Sequence, residues 1–194
     1  MLNRSLGTSI MDDLSLYLQD IIQNSIAAKS SKIECIINED QQMTITIIDN
    51  GCGMTHEELE KALTPFYTTR TTRKVGLGLP MIQMLTEQTE GKFEIQSEKN
   101  EGTRLDIHLN HHHIDMPPIG NLGEMVYMVS IHQDVEEFIF TYRYQQLEYQ
   151  FVLSEMKELL GQTFYQYSLM KAVIEMINNE IINIRGVLCN HMKN

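Results

Sequence analysis

The chain has 194 residues, 42% of them hydrophobic, and a formal net charge of −11. That length and apolar content are enough for a sizeable packed core and argue against disorder. The acidic balance argues against nonspecific nucleic-acid binding and attachment to anionic membranes, and no apolar run is long enough to span a bilayer.

A first amphipathic helix is predicted from about Ser9. Asp12 stands three residues on, at capping-box spacing, and Leu14, Tyr17, Leu18, Ile21, Ile22, Ser25 and Ile26 recur at helical intervals. The helix is expected to end within residues 28–31. Residues 32–38 and 43–49 then read as a β-hairpin turning at Glu39–Gln42. Thr55 and Glu58 cap a short helix that Pro65 ends. Residues 66–78, FYTTRTTRKVGLG, have no amphipathic period and read as a mobile or ligand-ordered loop. A helix over 79–90 carries Pro80 in its first turn and Gly91 at its C-cap. A second hairpin pairs residues 92–98 with 103–109.

Pro117, Pro118 and Gly120 break the pattern and mark a linker or the start of a new unit. Beyond them a helix is predicted near 122–131 and a hairpin from 137–144 and 148–153. Helices near 154–160 and 168–187 close the chain. Phe138, Phe140, Tyr142 and Tyr144 recur at period two and read as one packed face of that hairpin. His111, His112 and His113 alternate along an extended segment, so they cannot all face one ion and read as a strand end. His108, between Ile107 and Leu109, belongs to the opposite face from those two. Cys35, Cys52 and Cys189 are far apart, odd in number and preceded by no signal peptide, which predicts a cytoplasmic protein without structural zinc.

Four features in a fixed order point to chemistry. Asp20 and Asn24 project from one helix face, one turn apart, and suit metal and water chemistry. Asp49-Asn50-Gly51-Cys52-Gly53-Met54 ends a strand with a carboxylate and follows it with two glycines; taken alone it is a tight turn. Phe66, Thr68, Thr69, Arg70, Arg73 and Lys74 form a basic loop, which alone reads as a solvated segment. Gly76-Leu77-Gly78 opens a helix, where backbone N–H groups approach a phosphate, although a bare GxG alone is a weak signal.

Together, QDIIQNS, DNGCGM, TPFYTTR, KVGLGLP and EGTRLDIHL resemble the GHKL superfamily of gyrase, heat-shock chaperone, histidine kinase and MutL ATPases, over roughly residues 10–110. The whole chain also looks like small stand-alone ATP-binding proteins of anaerobic bacteria. The resemblance implies an α+β fold, a two-layer sandwich with a mixed or antiparallel sheet and helices on one face. It divides the chain into an ATP-binding domain over 1–112 and a C-terminal α+β extension over 113–194.

The resemblance also implies roles. Asn24 holds Mg²⁺, Asp49 accepts from the adenine amino group, and Gly53 lets the base lie against the backbone. Gly51 makes the turn and Met54 follows it in the binding segment. Phe66 starts a lid over ATP; Thr69, Arg70, Arg73 and Lys74 supply loop and phosphate contacts. Gly76, Leu77 and Gly78 face phosphate, and Thr103 reaches adenine. Asp20 stands where gyrase and MutL have a glutamate base and is one methylene shorter; Lys74 stands where the fuller pattern has glycine.

ATP and Mg²⁺ are the implied cofactors. Only residues 1–8 precede the first helix, so no phosphoacceptor hairpin is expected there and autophosphorylation on the same chain is not expected. The expected activity is that of a GHKL-type kinase or ATPase, passing phosphate to a partner protein or regulating it. The alternatives are an ATP-gated switch with slow hydrolysis and a nonhydrolysing nucleotide-binding module. The partner is a protein rather than nucleic acid or membrane, and homodimer formation is allowed.

Overall fold

A computed structural model describes residues 13–64 and 78–191. In chain order they form α1 (Leu14–Ala27), β1 (Lys32–Glu39), β2 (Met43–Asp49), α2 (His56–Ala62), α3 (Gly78–Gln88), β3 (Lys92–Glu98) and β4 (Gly102–Leu109). Then come α4 (Leu122–Ser130), β5 (Glu137–Tyr144), β6 (Leu147–Val152), α5 (Leu153–Leu160), a 3₁₀ turn (Gly161–Tyr165) and α6 (Tyr167–His191).

The strands make one six-stranded sheet in the order β3-β4-β2-β1-β5-β6. Neighbours are antiparallel except β1 and β5, which run parallel. The sheet is mixed and the fold is α+β, as the resemblance implies. The residues past 112 join this same sheet, because β5 lies along the outer side of β1, Ile33 opposite Phe138 and Ile37 opposite Tyr142.

Period-two alternation writes one face into the core. Ile33, Cys35 and Ile37 of β1, Ile45 and Ile47 of β2, Leu105 and Ile107 of β4, and Phe138, Phe140 and Tyr142 of β5 are all buried. Against them lie Leu14, Leu18 and Ile22 of α1 and Val126 of α4, also buried. α1 packs on α3 and α4, and α4 packs on α6. The other face keeps polar residues: Thr46 donates to Asp106 (2.7 Å), which also pairs with Arg104 (2.7 Å). His108 lies on that face, half-buried between two buried neighbours.

Local details differ from the sequence reading at several ends. The N-cap of α1 is Asp13, whose side chain accepts from the Leu16 N–H (3.1 Å) and the Ser15 hydroxyl (2.6 Å); Ser9 and Asp12 lie outside the described residues. Two further N–H groups at that helix start donate to the Pro118 and Ile119 carbonyls (2.9 and 3.0 Å), so the proline segment folds back as part of the cap. After α3 it is Glu90, not Gly91, that takes the left-handed conformation (φ 55°), and the Gly91 N–H closes the turn on the Thr86 carbonyl (2.7 Å). The Thr55–Glu58 capping box of α2 forms as expected.

Candidate functional site

The site sits where α1, the end of β2 and the start of β4 meet. Asp49 is the last residue of β2 and lies opposite Thr103 of β4. It is buried, with 8% of its surface exposed. Three donors hold its carboxylate: the Ser25 hydroxyl to Oδ2 (2.7 Å), and the Ser30 hydroxyl (3.0 Å) and Gly51 N–H (2.9 Å) to Oδ1. Burial of an ionised carboxylate is tolerated only with such donors, each contributing on the order of 1.5–3 kcal/mol.

The connector from α1 to β1 supplies part of this support. The Asn50 side chain accepts from the Ser31 and Lys32 N–H groups (3.0 and 2.8 Å), and the Cys52 N–H donates to the Ala28 carbonyl (2.8 Å). The other side of the turn docks on the β3–β4 hairpin. The Met54 N–H donates to Ser97 Oγ (2.9 Å), which also meets Thr103 Oγ1 (2.9 Å), and the Asn100 N–H donates to the Cys52 carbonyl (2.8 Å). Gly53 stands in this seam at φ +57°, and a Cβ there would fall 1.8 Å from the Glu98 carbonyl oxygen. The β3–β4 hairpin therefore imposes a steric demand at Gly53 of its own, besides the place this glycine has in the cavity lining.

Above this floor opens a cavity of about 620 Å³. Asn24, Asp49, Gly53, Met54 and Thr103 line it, so five of the residues singled out in the sequence converge there. Ile21, Ile47, Leu79, Ile95 and Leu105 make its apolar walls. Ser25 and Cys52, which fall inside the QDIIQNS and DNGCGM motifs but carry no role from the resemblance, also line it, as do Glu58, Lys61 and Lys99. Lys99 Nζ pairs with Glu58 (3.0 Å) at the rim, and the Thr55 N–H and Lys99 together hold the Glu58 carboxyl below its usual range. By spacing Ser25 belongs to the helical stripe of α1, and Ser30 carries no signal in a single sequence, because its partner is nineteen positions away.

Gly51 and Gly78 adjoin the cavity rather than line it. Gly78 begins α3, and a Cβ on it would lie 2.4 Å from Asp20 Oδ2 and 3.4 Å from Asn24 Nδ2. Asp20, Asn24 and Gly78 are therefore brought together as the motif order implies. Burial pushes the Asp20 carboxyl above its ordinary range, and a hydrogen bond from the Gly78 N–H opposes that shift. Phe66, Thr69, Arg70, Arg73, Lys74, Gly76 and Leu77 lie outside the described residues. Among the described residues no group of three or more His, Cys, Asp or Glu is arranged to hold a metal, and no helix is long and apolar enough to cross a membrane. A Mg²⁺ ion needs less, because it keeps waters and phosphate oxygens and takes only one or two protein oxygens. The Asn24 amide oxygen fits that demand, with the Asp20 carboxylate one helical turn away to hold a water.

The family model for histidine kinase-, DNA gyrase B- and HSP90-like ATPases matches residues 10–113, more than half of the chain. The chain belongs to that family. It is 36% identical over 104 residues to a probable C4-dicarboxylate sensor kinase of Halalkalibacterium halodurans, a match covering 50% of this chain and 20% of that protein. It is 28% identical over 101 residues to the anti-sigma F factor of Clostridium acetobutylicum, covering 49% of this chain and 66% of that protein. The chain thus spans only a fifth of the sensor kinase's length. Among solved structures it is similar to the N-terminal domain of a DNA repair protein, with a TM-score of 0.52 at 16% identity over 73% of this chain and 52% of that one, a likeness of fold alone.

Proposed function

We propose that this protein binds Mg·ATP and uses it to act on a partner protein, by transferring the γ-phosphoryl group or by regulating the partner as ATP is bound. The observation that carries the reading is the buried Asp49 at the foot of an apolar-walled cavity, in a chain of the GHKL family. The similarity to a protein named as an anti-sigma F factor supports a protein as the partner.

In this reading Asp49 accepts from the adenine amino group, the apolar walls flank the base, and Thr103 stands beside it. Asn24 and the N-terminus of α3 at Gly78 face the phosphate end. Asn24 would hold a magnesium ion, which would neutralise phosphate charge. Asp20, one helical turn from Asn24, orients water or the acceptor hydroxyl by hydrogen bonding. Phe66, Thr69, Arg70, Arg73, Lys74, Gly76 and Leu77 belong to the lid and phosphate loop.

A second reading, an ATP-gated regulator with slow hydrolysis, is favoured by the engagement of Asp20 with the Gly78 N–H. Incubation with γ-labelled ATP and cell extract separates the two: label on a protein supports transfer, and free phosphate without labelled protein supports the gated regulator. Neither, despite binding, leaves a nonhydrolysing module. Asn24→Ala and Asp49→Asn should each weaken Mg·ATP binding at least about tenfold, as measured by calorimetry; unchanged affinity in both would sink the site assignment. Asp20→Asn should keep binding and lose turnover.

A further inference from the structure

Asp49 can discriminate between bases only if its acceptor capacity toward the cavity is fixed. A carboxylate has about four acceptor positions, two on each oxygen. Oδ1 has both filled, by the Ser30 hydroxyl and the Gly51 N–H. Oδ2 has one filled, by Ser25. Ser25 lines the cavity whereas Ser30 and Gly51 do not. One acceptor position, on Oδ2, is therefore left toward the cavity.

We infer that Ser30 is the residue that makes this site selective for a base carrying an exocyclic amino group, by occupying Oδ1 from behind and fixing which oxygen faces the ligand. The inference rests on the nucleotide reading above. One open acceptor position takes one N–H of a 6-amino purine; a purine with a carbonyl oxygen there sets acceptor against acceptor. Ser30 is fully buried. Its own N–H is tied to the Ser25 carbonyl (3.2 Å), and it follows Lys29, which takes a left-handed conformation (φ 66°). The hydroxyl is thus placed by the backbone rather than by a rotamer shared with solvent. Without it Oδ1 keeps only the Gly51 N–H, one acceptor position behind the cavity falls vacant, and the carboxylate torsion, which is intrinsically broad, is held by one donor fewer. Ser30 is a positioning residue: it acts on the ligand through Asp49.

The test compares ATP with purine riboside triphosphate, which lacks only the 6-amino group, and with GTP, by calorimetry on the full chain. The unaltered protein should prefer ATP over purine riboside triphosphate by about tenfold, and Ser30→Ala should lower that ratio severalfold, mainly by weakening ATP. Affinity for purine riboside triphosphate should stay unchanged, and discrimination against GTP should fall. Ser30→Cys, which keeps a weak donor, should give an intermediate ratio, and it carries the test if the alanine variant does not fold. Equal weakening of all three nucleotides would assign Ser30 a structural role only and overturn the inference, as would an unchanged ratio in both variants. Failure of the unaltered protein to bind any of the three would overturn the nucleotide reading itself.

Discussion

Cys52 and Cys35 place two thiols in opposite surroundings. Cys52 is exposed on the turn that forms the rim of the cavity, and Cys35 is fully buried in β1. Burial, helped by the nearby Glu34 carboxylate, pushes the Cys35 thiol up to about 12. In a Cys189→Ser background, a thiol reagent at pH 8 should modify Cys52 and leave Cys35 untouched until the chain is denatured, with peptide mapping as the readout. Saturating Mg·ATP should slow the reaction at Cys52 severalfold. Cys35 also sets a sign for alkaline stability. Its pKa is higher folded than unfolded, so its contribution is intact below the unfolded value of about 8.5 and is lost as pH rises toward 12. Tyr149, pushed up to about 12 by burial, acts in the same direction. Urea unfolding should therefore show stability falling between pH 9 and 11, and Cys35→Ala should flatten part of that slope while costing about 1 kcal/mol at pH 7.

At the scale of elements, the turn after β2 is the piece with least freedom. Gly53 has a left-handed φ and the Glu98 carbonyl packed where a Cβ would go. Gly53→Ala should cost about 2–3 kcal/mol in chemical denaturation and displace Met54 from Ser97. The strands themselves are legible from the sequence, because alternation such as Ile33, Cys35 and Ile37 records which side chains face the core. The convergence of Asn24, Asp49, Gly53, Met54 and Thr103 is legible only through the order of the motifs. Ser30 and the Asp13 cap are not legible. A serine after a helix looks like any connector residue, and its value depends on a carboxylate that the fold brings to it. Nor does alternation say which strands are neighbours: Phe138, Phe140 and Tyr142 read as a packed face, but nothing in their spacing names β1 as the strand alongside them.

Across the whole molecule, the far end of β1 from Asp49 is tied to the C-terminal helix. Glu39 is buried; it accepts from the Tyr142 hydroxyl and from Arg185 Nη2 (2.9 Å). Arg185→Ala should lower stability by about 1–2 kcal/mol, since Arg185 is itself part-exposed and Tyr142 still serves the carboxylate. A chain cut after residue 112 would expose the core positions that β5 and α4 cover, and should lose cooperative unfolding in a thermal melt. The parallel pairing of β1 with β5 also carries a consequence for how the chain is made. Each hairpin closes through a short turn, but this seam joins residues 32–39 to residues 137–144 and must await both. During synthesis the end of the sheet bearing Asp49 assembles first, and one edge of β1 remains an open template until β5 leaves the ribosome. The nascent protein therefore passes through an interval in which it is most prone to pair with another chain, and that interval ends when the β1–β5 seam closes.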